Sequence, residues 1–266
     1  PVYAALHWPV PNNHVGYSVL SAFLDYFGNP YIGLRGVSYL CALANLILIF
    51  RIGRRFLKKG LSLVAVLLYA SMNLVNQMAV QGRGYTLGIT CYLAAFYCLT
   101  FICKELKTAC RYYVIFGMSL VLGLYTLTSD IYFVLPVCMT GGMYLLYQAL
   151  SESKTSKLPL RKSEYLRKLG KLITVSILAA IVTTGLYAVI WLAIGSNLLV
   201  KDETGLYYGM NHVKMILTAP FDALRTGMEY MLSTPYIQSV ERQGYFGRLL
   251  QWMKTLMNWY YDGFSS

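Results

Sequence analysis

Charge is what this sequence has least of. Asp, Glu, Lys and Arg make up 13% of its 266 residues, against about a quarter in an ordinary globular domain, which excludes a water-facing surface for most of the chain. Acids are scarcer still, 11 against 23 Lys and Arg, for a formal net charge of +12. That balance does not make a nucleic-acid binder, because the basic residues gather in the connections between apolar runs and not on one soluble face. The six cysteines (Cys41, Cys91, Cys98, Cys103, Cys110 and Cys138) form no C-x-x-C pair and have no histidine cluster beside them. They indicate neither a zinc site nor a disulfide framework and read as small buried hydrophobes.

Apolar length is what the chain has in abundance. Hydrophobic residues make up 57% of it and the mean hydropathy is +0.50, which predicts an all-α, polytopic bundle of transmembrane helices. Six charge-free runs have the length for it: Gly36 to Phe50, Leu61 to Gly82, Gly84 to Cys103, Tyr112 to Ser129, Ile131 to Ser151 and Leu172 to Val200. The first is the shortest and needs snorkelling ends to cross. Three connections hold fifteen of the 23 basic residues: 51–59, 104–111 and 154–171. The positive-inside rule puts these in the cytoplasm and turns Arg35, Arg83 and Asp130 outward.

Residues 1–34 read as an external juxtamembrane segment, 35–200 as the transmembrane domain, and 201–266 as an external loop or tail. Val15, Val19, Leu20, Phe23, Leu24 and Phe27 recur at helical spacing, which predicts a short helix lying in the interface plane. Leu249, Trp252, Met253, Leu256, Met257 and Tyr260 predict a second amphipathic helix, set to lie on the membrane or to cover a substrate cavity. Gly84 and Gly88 form a GxxxG, read as close helix packing and not as a dimer contact. The chain opens at Pro1 and closes in a polar, aromatic-rich stretch, which reads as part of a longer protein.

The organising stretch is Val80 to Leu87, VQGRGYTL, which sets one arginine, Arg83, between two long uncharged runs. An arginine there either snorkels to headgroups or caps a helix end, or it binds an anion such as the phosphate of a lipid-linked substrate.

In order, the chain carries PNNH, a short amphipathic helix ending DYFG, Arg35 opening a span that ends GRR, and a span closing on QGRGY. This order resembles the membrane-embedded glycosyltransferases of the GT-C superfamily. Within it, the resemblance is to the bacterial branch of protein O-mannosyltransferases and aminoarabinose transferases, over residues 9 to 105. The branch's R-x-x-S stretch corresponds to Arg35, Gly36, Val37 and Ser38, and its A-R-G-Y turn to Gly82 through Tyr85, with Gly82 where alanine is common. The resemblance implies a GT-C-like fold in a bacterial plasma membrane. It implies transfer of a hexosyl or pentosyl group from a polyprenyl-phosphate donor to a lipid, glycan or protein acceptor on the outer face. It also implies that the essential acid lies in an external loop upstream of Pro1, which leaves open whether this chain alone is active.

A lipid-phosphate leaving group gains negative charge as the glycosidic bond breaks, so the chemistry calls for a positioned cation and hydrogen-bond donors. Arg83 is the first candidate, with Tyr85 beside it as a donor, a stacking platform for a sugar or simply an interfacial tyrosine. Arg35 is a second outward cation, or a positional anchor. Asn13 and His14 sit at a helix entry, suited equally to capping and to substrate contact. Asp25 and Asp130 are the outward acids that an acceptor hydroxyl could meet, although Asp130 suits a helix N-cap and Asp25 a solvated surface. A divalent metal is possible for distant relatives, but no ligand cluster indicates one and no cofactor is expected. The rival reading is a transporter or flippase of lipid-linked sugars, disfavoured because the span interiors carry no charge and the breakers Pro136, Gly141 and Gly142 fall in one span.

Overall fold

The computed structural model describes residues 14–105, 108–156 and 159–194, with Met253, Lys254 and Met257 beyond them. Every regular element among the described residues is helical. The chain divides into two units, one of residues 1–70 and 75–195 and one of 71–74 and 196–266. The first holds the bundle. Of the second, the described residues are the α3–α4 junction and the three beyond 194, so the amphipathic helix expected near the end of the chain lies outside the described residues.

Helix α1 (Val15–Leu24) runs into a 3-10 turn, Asp25–Phe27. Gly28 closes the turn at φ +70°, a conformation that glycine adopts without a Cβ clash. Asn29 then accepts a hydrogen bond from Tyr31 N at 2.9 Å and Pro30 follows as the first helical residue, a standard N-terminal cap that starts α2 (Pro30–Phe56). The expected boundary at residue 35 is therefore displaced. Arg35 lies inside a 27-residue helix, about 40 Å long, because one flexible cation interrupts an apolar run without interrupting a helix. The expected surface helix is also partly interior: Val15, Gly16 and Tyr17 of α1 are buried, while Phe23 is exposed.

After α2 come α3 (Lys59–Ser71), α4 (Asn73–Val80), α5 (Tyr85–Lys104), α6 (Cys110–Thr126), α7 (Ile131–Ser156) and α8 (Glu164–Ile194). Four stretches are individually long and apolar enough to cross a membrane: α2, α5, Thr128–Thr155 and Glu164–Ala188. A fifth forms if α3 and α4, bent by 62°, are taken as one broken span. The remaining predicted run is shorter than expected. Its helix, α6, has 17 residues, a rise of about 25 Å against a hydrocarbon core of roughly 30 Å, because the backbone turns extended at Leu127 and re-forms as the 3-10 turn Thr128–Asp130.

The bundle is packed as a membrane protein is. On α2 the buried side is mostly small or polar (Gly33, Ser38, Cys41, Asn45 and Gly53, with Val37 among them), whereas Leu40, Leu43 and Ile47 are more than half exposed. Large apolar side chains gain little by leaving lipid, and small ones let backbones approach. One apolar core joins α5, α6, α7 and α8 around Ile102, Phe116, Leu145 and Leu172. A smaller one joins α1, α2 and α5 through Tyr17, Val37, Cys41, Leu87 and Cys91. All six cysteines are free; Cys41, Cys91 and Cys98 are buried as expected, but Cys110 is exposed at the start of α6. Lys168, counted above with the connecting-loop cations, is buried on α8 and donates to the carbonyls of Ile102, at 3.1 Å, and Glu105.

Candidate functional site

The entry to α5 is shaped by glycine. Gly82 has φ +64°, and a Cβ there would stand 2.8 Å from the Leu34 carbonyl oxygen and 3.6 Å from Arg35 Cγ. Glycine at this point lets the turn lie flat on α2, and an alanine would need the backbone to move. The next residue is held from below. Tyr17 donates to Leu34 O at 2.6 Å, and the buried Ser38 hydroxyl lies 3.0 Å from the Tyr17 oxygen and 3.4 Å from Arg83 O, sharing its one proton between them. The main chain of Arg83 is thus tied to α1 and α2, while its side chain is exposed.

His14 stands at the N-cap position of α1 but makes no side-chain capping bond. Its ring meets Tyr85 edge-on, with centroids 4.8 Å apart and planes at 71°. Its Nδ1 is buried without a hydrogen-bond partner among the described residues. Burial, and secondarily the positive charge of Arg83, lower its pKa below the usual 6.5, so the imidazole is neutral at pH 7 and carries one donor and one acceptor. Three expected residues, Arg83, Tyr85 and His14, are therefore gathered at one turn, and Arg35 adjoins them across Gly82. Asn13 lies outside the described residues.

The two carboxylates are not gathered there. Asp25 is exposed, with Oδ1 2.6 Å from where a Cβ of Gly33 would stand, so it lies over the first turns of α2. Asp130 is 2% exposed. Its Oδ1 accepts a hydrogen bond from the Tyr92 hydroxyl, and its Oδ2 has no partner among the described residues. Gly88 and Gly123 make room for that oxygen, their missing Cβ atoms standing 3.1 and 3.4 Å from it. One turn earlier on α5, Gly84 receives Thr126 and His14 in the same way, at 2.6 and 2.9 Å. The GxxxG of α5 is thus a packing face within this chain, taken up by His14, Thr126, Leu127 and Asp130.

Chemically, an exposed guanidinium whose backbone is fixed, beside a neutral imidazole and a half-buried tyrosine, suits an anion with an attached polar group. Arg offers a planar fork matched to phosphate, and the imidazole and phenol add neutral hydrogen bonds and a ring face. The described residues hold no group of three or more His, Cys, Asp or Glu placed to share a metal ion. Reading the sequence left out Tyr17, Tyr92 and Thr126 and saw Ser38 only as part of a motif. A signal was present for two of them. Ser38 follows Arg35 by one helical turn, and Tyr92 follows Gly88 by four residues, on the face that Asp130 occupies.

No curated protein and no solved structure matches the chain. The family profile described as dolichyl-phosphate-mannose-protein mannosyltransferase matches residues 14–176, which span the bundle from the His14 turn into α8. That range covers well over half of the sequence and includes Arg35, Arg83, Tyr85 and Asp130. The chain is an integral, multi-pass member of the dolichyl-phosphate-mannose-protein mannosyltransferase family, membrane glycosyltransferases of the GT-C superfamily that draw on a lipid-linked sugar.

Proposed function

We propose that this protein transfers a sugar from a polyprenyl-phosphate donor to an acceptor on the outer face of a bacterial plasma membrane. The single observation that carries the proposal is the convergence of Arg83, His14 and Tyr85 at the turn into α5, with Arg35 alongside. The acceptor oxygen displaces the lipid phosphate directly at the anomeric carbon. Arg83 takes the charge that grows on the departing phosphate, His14 and Arg35 assist, and Tyr85 presents a ring face to the sugar. Asp130 is sealed from solvent and Asp25 lies over the start of α2, so neither is assigned as the base that takes the acceptor proton.

Arg83→Ala in the complete membrane-inserted protein should lower transfer from a polyprenyl-phosphate sugar by about 10²–10³-fold, the usual cost of removing a charge-stabilising donor. Insertion and thermal midpoint should stay unchanged, and Arg83→Lys should recover part of the rate as a point charge without the fork. Wild-type turnover in Arg83→Ala would remove Arg83 from the mechanism. A transporter or flippase of lipid-linked sugars is supported by the 62° break between α3 and α4, which, with Pro136 inside α7, puts breakers in two spans and not one. Translocation of donor without any glycosylated product would favour that reading.

A further inference from the structure

The elbow joining α2 to α3 carries five cations in nine residues, Arg51, Arg54, Arg55, Lys58 and Lys59, and no acid. Their fates differ. Arg55 is turned inward, paired with Glu105 at 2.9 Å, stacked 3.9 Å over the Phe101 ring and donating to Thr100 O. The other four are exposed. Arg54 donates only to the nearby Leu57 carbonyl, at 3.4 Å, and the four have no acidic partner among the described residues.

The described acids are all placed elsewhere. Glu105 is taken by Arg55, Glu164 by Arg167 and Glu152 by the Ser163 hydroxyl, while Asp130 is held by Tyr92 and Asp25 lies over the opposite end of α2. Helix dipoles account for part of the pattern, since Arg54 in the last turn of α2 is favoured by that helix's C-terminal charge. They do not account for Lys59, the first residue of α3, where the helix's own charge repels a cation. Like charges this close repel one another, and no acid among the described residues offsets it.

The elbow is also closely packed at its base and apolar at its tip. A Cβ on the buried Gly53 would lie 3.1 Å from the Ser62 side chain, so α2 and α3 pack almost backbone to backbone there, and Ser62 bonds back to Lys58 O through both its amide and its hydroxyl. Phe56 is 53% exposed, with Lys104 Nζ 3.8 Å over one face of its ring, and Leu57 is 43% exposed; both lie between Arg54 and Lys58 in the chain. Orienting the chain during insertion requires only the count of positive charges. It does not require that the elbow be closely packed or carry two exposed apolar side chains among those charges.

We propose that this elbow is a binding surface for anionic phospholipid headgroups, with Arg51, Arg54, Lys58 and Lys59 on the phosphates and Phe56 and Leu57 at the acyl boundary. The proposal is independent of the catalytic reading, since the cations sit where α2 ends and Arg83 lies at the other end of the bundle.

The test uses the purified full chain in neutral detergent, with phosphatidylglycerol, phosphatidylcholine and inorganic phosphate as probes. The readouts are lipid retained by native mass spectrometry and the thermal midpoint. Phosphatidylglycerol should be retained and raise the midpoint, and the other two should not. Each basic residue near an anionic surface contributes about five-fold in affinity, so R51Q/R54Q/K58Q/K59Q should bind phosphatidylglycerol at least ten-fold more weakly. The charge-keeping R51K/R54K/K58R/K59R should bind as wild type. If the glutamine variant fails to fold, a salt titration of the wild type decides, because retention must fall as screening rises. Unchanged retention in the glutamine variant, insensitivity to salt, or an equal midpoint shift from inorganic phosphate would each overturn the proposal.

Discussion

The two ends of α5 are built to opposite plans, about 30 Å apart along one helix. At its C-terminal end three cations are attached, although Arg55 Nε is itself buried without a hydrogen-bond partner among the described residues. Lys168 holds the Ile102 and Glu105 carbonyls, Arg55 bridges to Glu105 and Thr100 O, and Lys104 covers the Phe56 ring at 3.8 Å. Cations against carbonyls that no further turn of helix can use are what a helix C-terminus favours. At the N-terminal end the first turn has no acid, His14 Nδ1, Thr86 Oγ1 and Thr126 Oγ1 are buried without partners among the described residues, and the Arg83 side chain is exposed. One end commits its cations to contacts within the fold; the other leaves Arg83 exposed, the feature on which the proposed phosphate site rests.

The sharpest way to break this contrast is to exchange the damage. Arg83→Ala should remove activity and leave stability, as set out above. Lys168→Met should do the reverse. It leaves the buried Ile102 carbonyl and the Glu105 carbonyl of an exposed residue without their charged donor, a loss of about 1.5–3 kcal/mol, and should lower the thermal midpoint in detergent while the surviving protein keeps its turnover at a permissive temperature. Normal stability in Lys168→Met would mean that the inner end is no anchor.

A smaller effect sharpens the link between scaffold and site. Ser38→Ala removes the hydroxyl shared by Tyr17 and Arg83 O, with an expected stability cost of about 0.5–1.5 kcal/mol. If the hydroxyl positions Arg83, transfer falls further than stability does, and KM for the donor rises more than kcat falls. Tyr17→Phe, which leaves Ser38 free to donate to Arg83 O, should be the milder of the two. Equal losses in both variants, tracking stability alone, would reduce the network to packing.

The smallest effect is a pH dependence. His14 has a folded pKa below its ordinary 6.5, so below that value the unfolded chain takes up a proton that the folded chain resists. The stability this group contributes is fully present above pH 6.5 and is lost as pH falls toward the lowered folded value. His14→Asn should flatten the thermal midpoint between pH 7 and pH 5.5 relative to wild type. An equally steep profile in the variant would place the titration on another group.

The bundle was legible from the chain because lipid imposes a length and a charge rule on each helix separately, and α2, α5, α7 and α8 all obey it. Where the local reading fails, the cause is a cap or a partner that a charge count does not register. Arg35 reads as a boundary, yet the Asn29 cap starts α2 at Pro30 and leaves Arg35 inside the helix. Lys168 was counted with the loop cations, yet it caps a helix more than 60 residues earlier. Asp130 was read as a candidate N-cap or base, but it is bonded to Tyr92 in the shelter of Gly88 and Gly123, which no local pattern announces. Arg83, Tyr85 and His14 were legible as candidates because their residue types are unusual for their positions. That His14 folds back onto Tyr85 from 71 residues away was not, since a single sequence carries no distance.

The most direct measurement is the affinity of the purified full-length protein for a polyprenyl-phosphate sugar, compared among wild type, Arg83→Ala and Lys168→Met at a temperature where all three are folded. Loss of binding by about ten-fold or more in Arg83→Ala alone, with Lys168→Met indistinguishable from wild type, is the predicted result. Wild-type affinity in Arg83→Ala, or equal weakening in both variants, would contradict a phosphate site at the entry to α5.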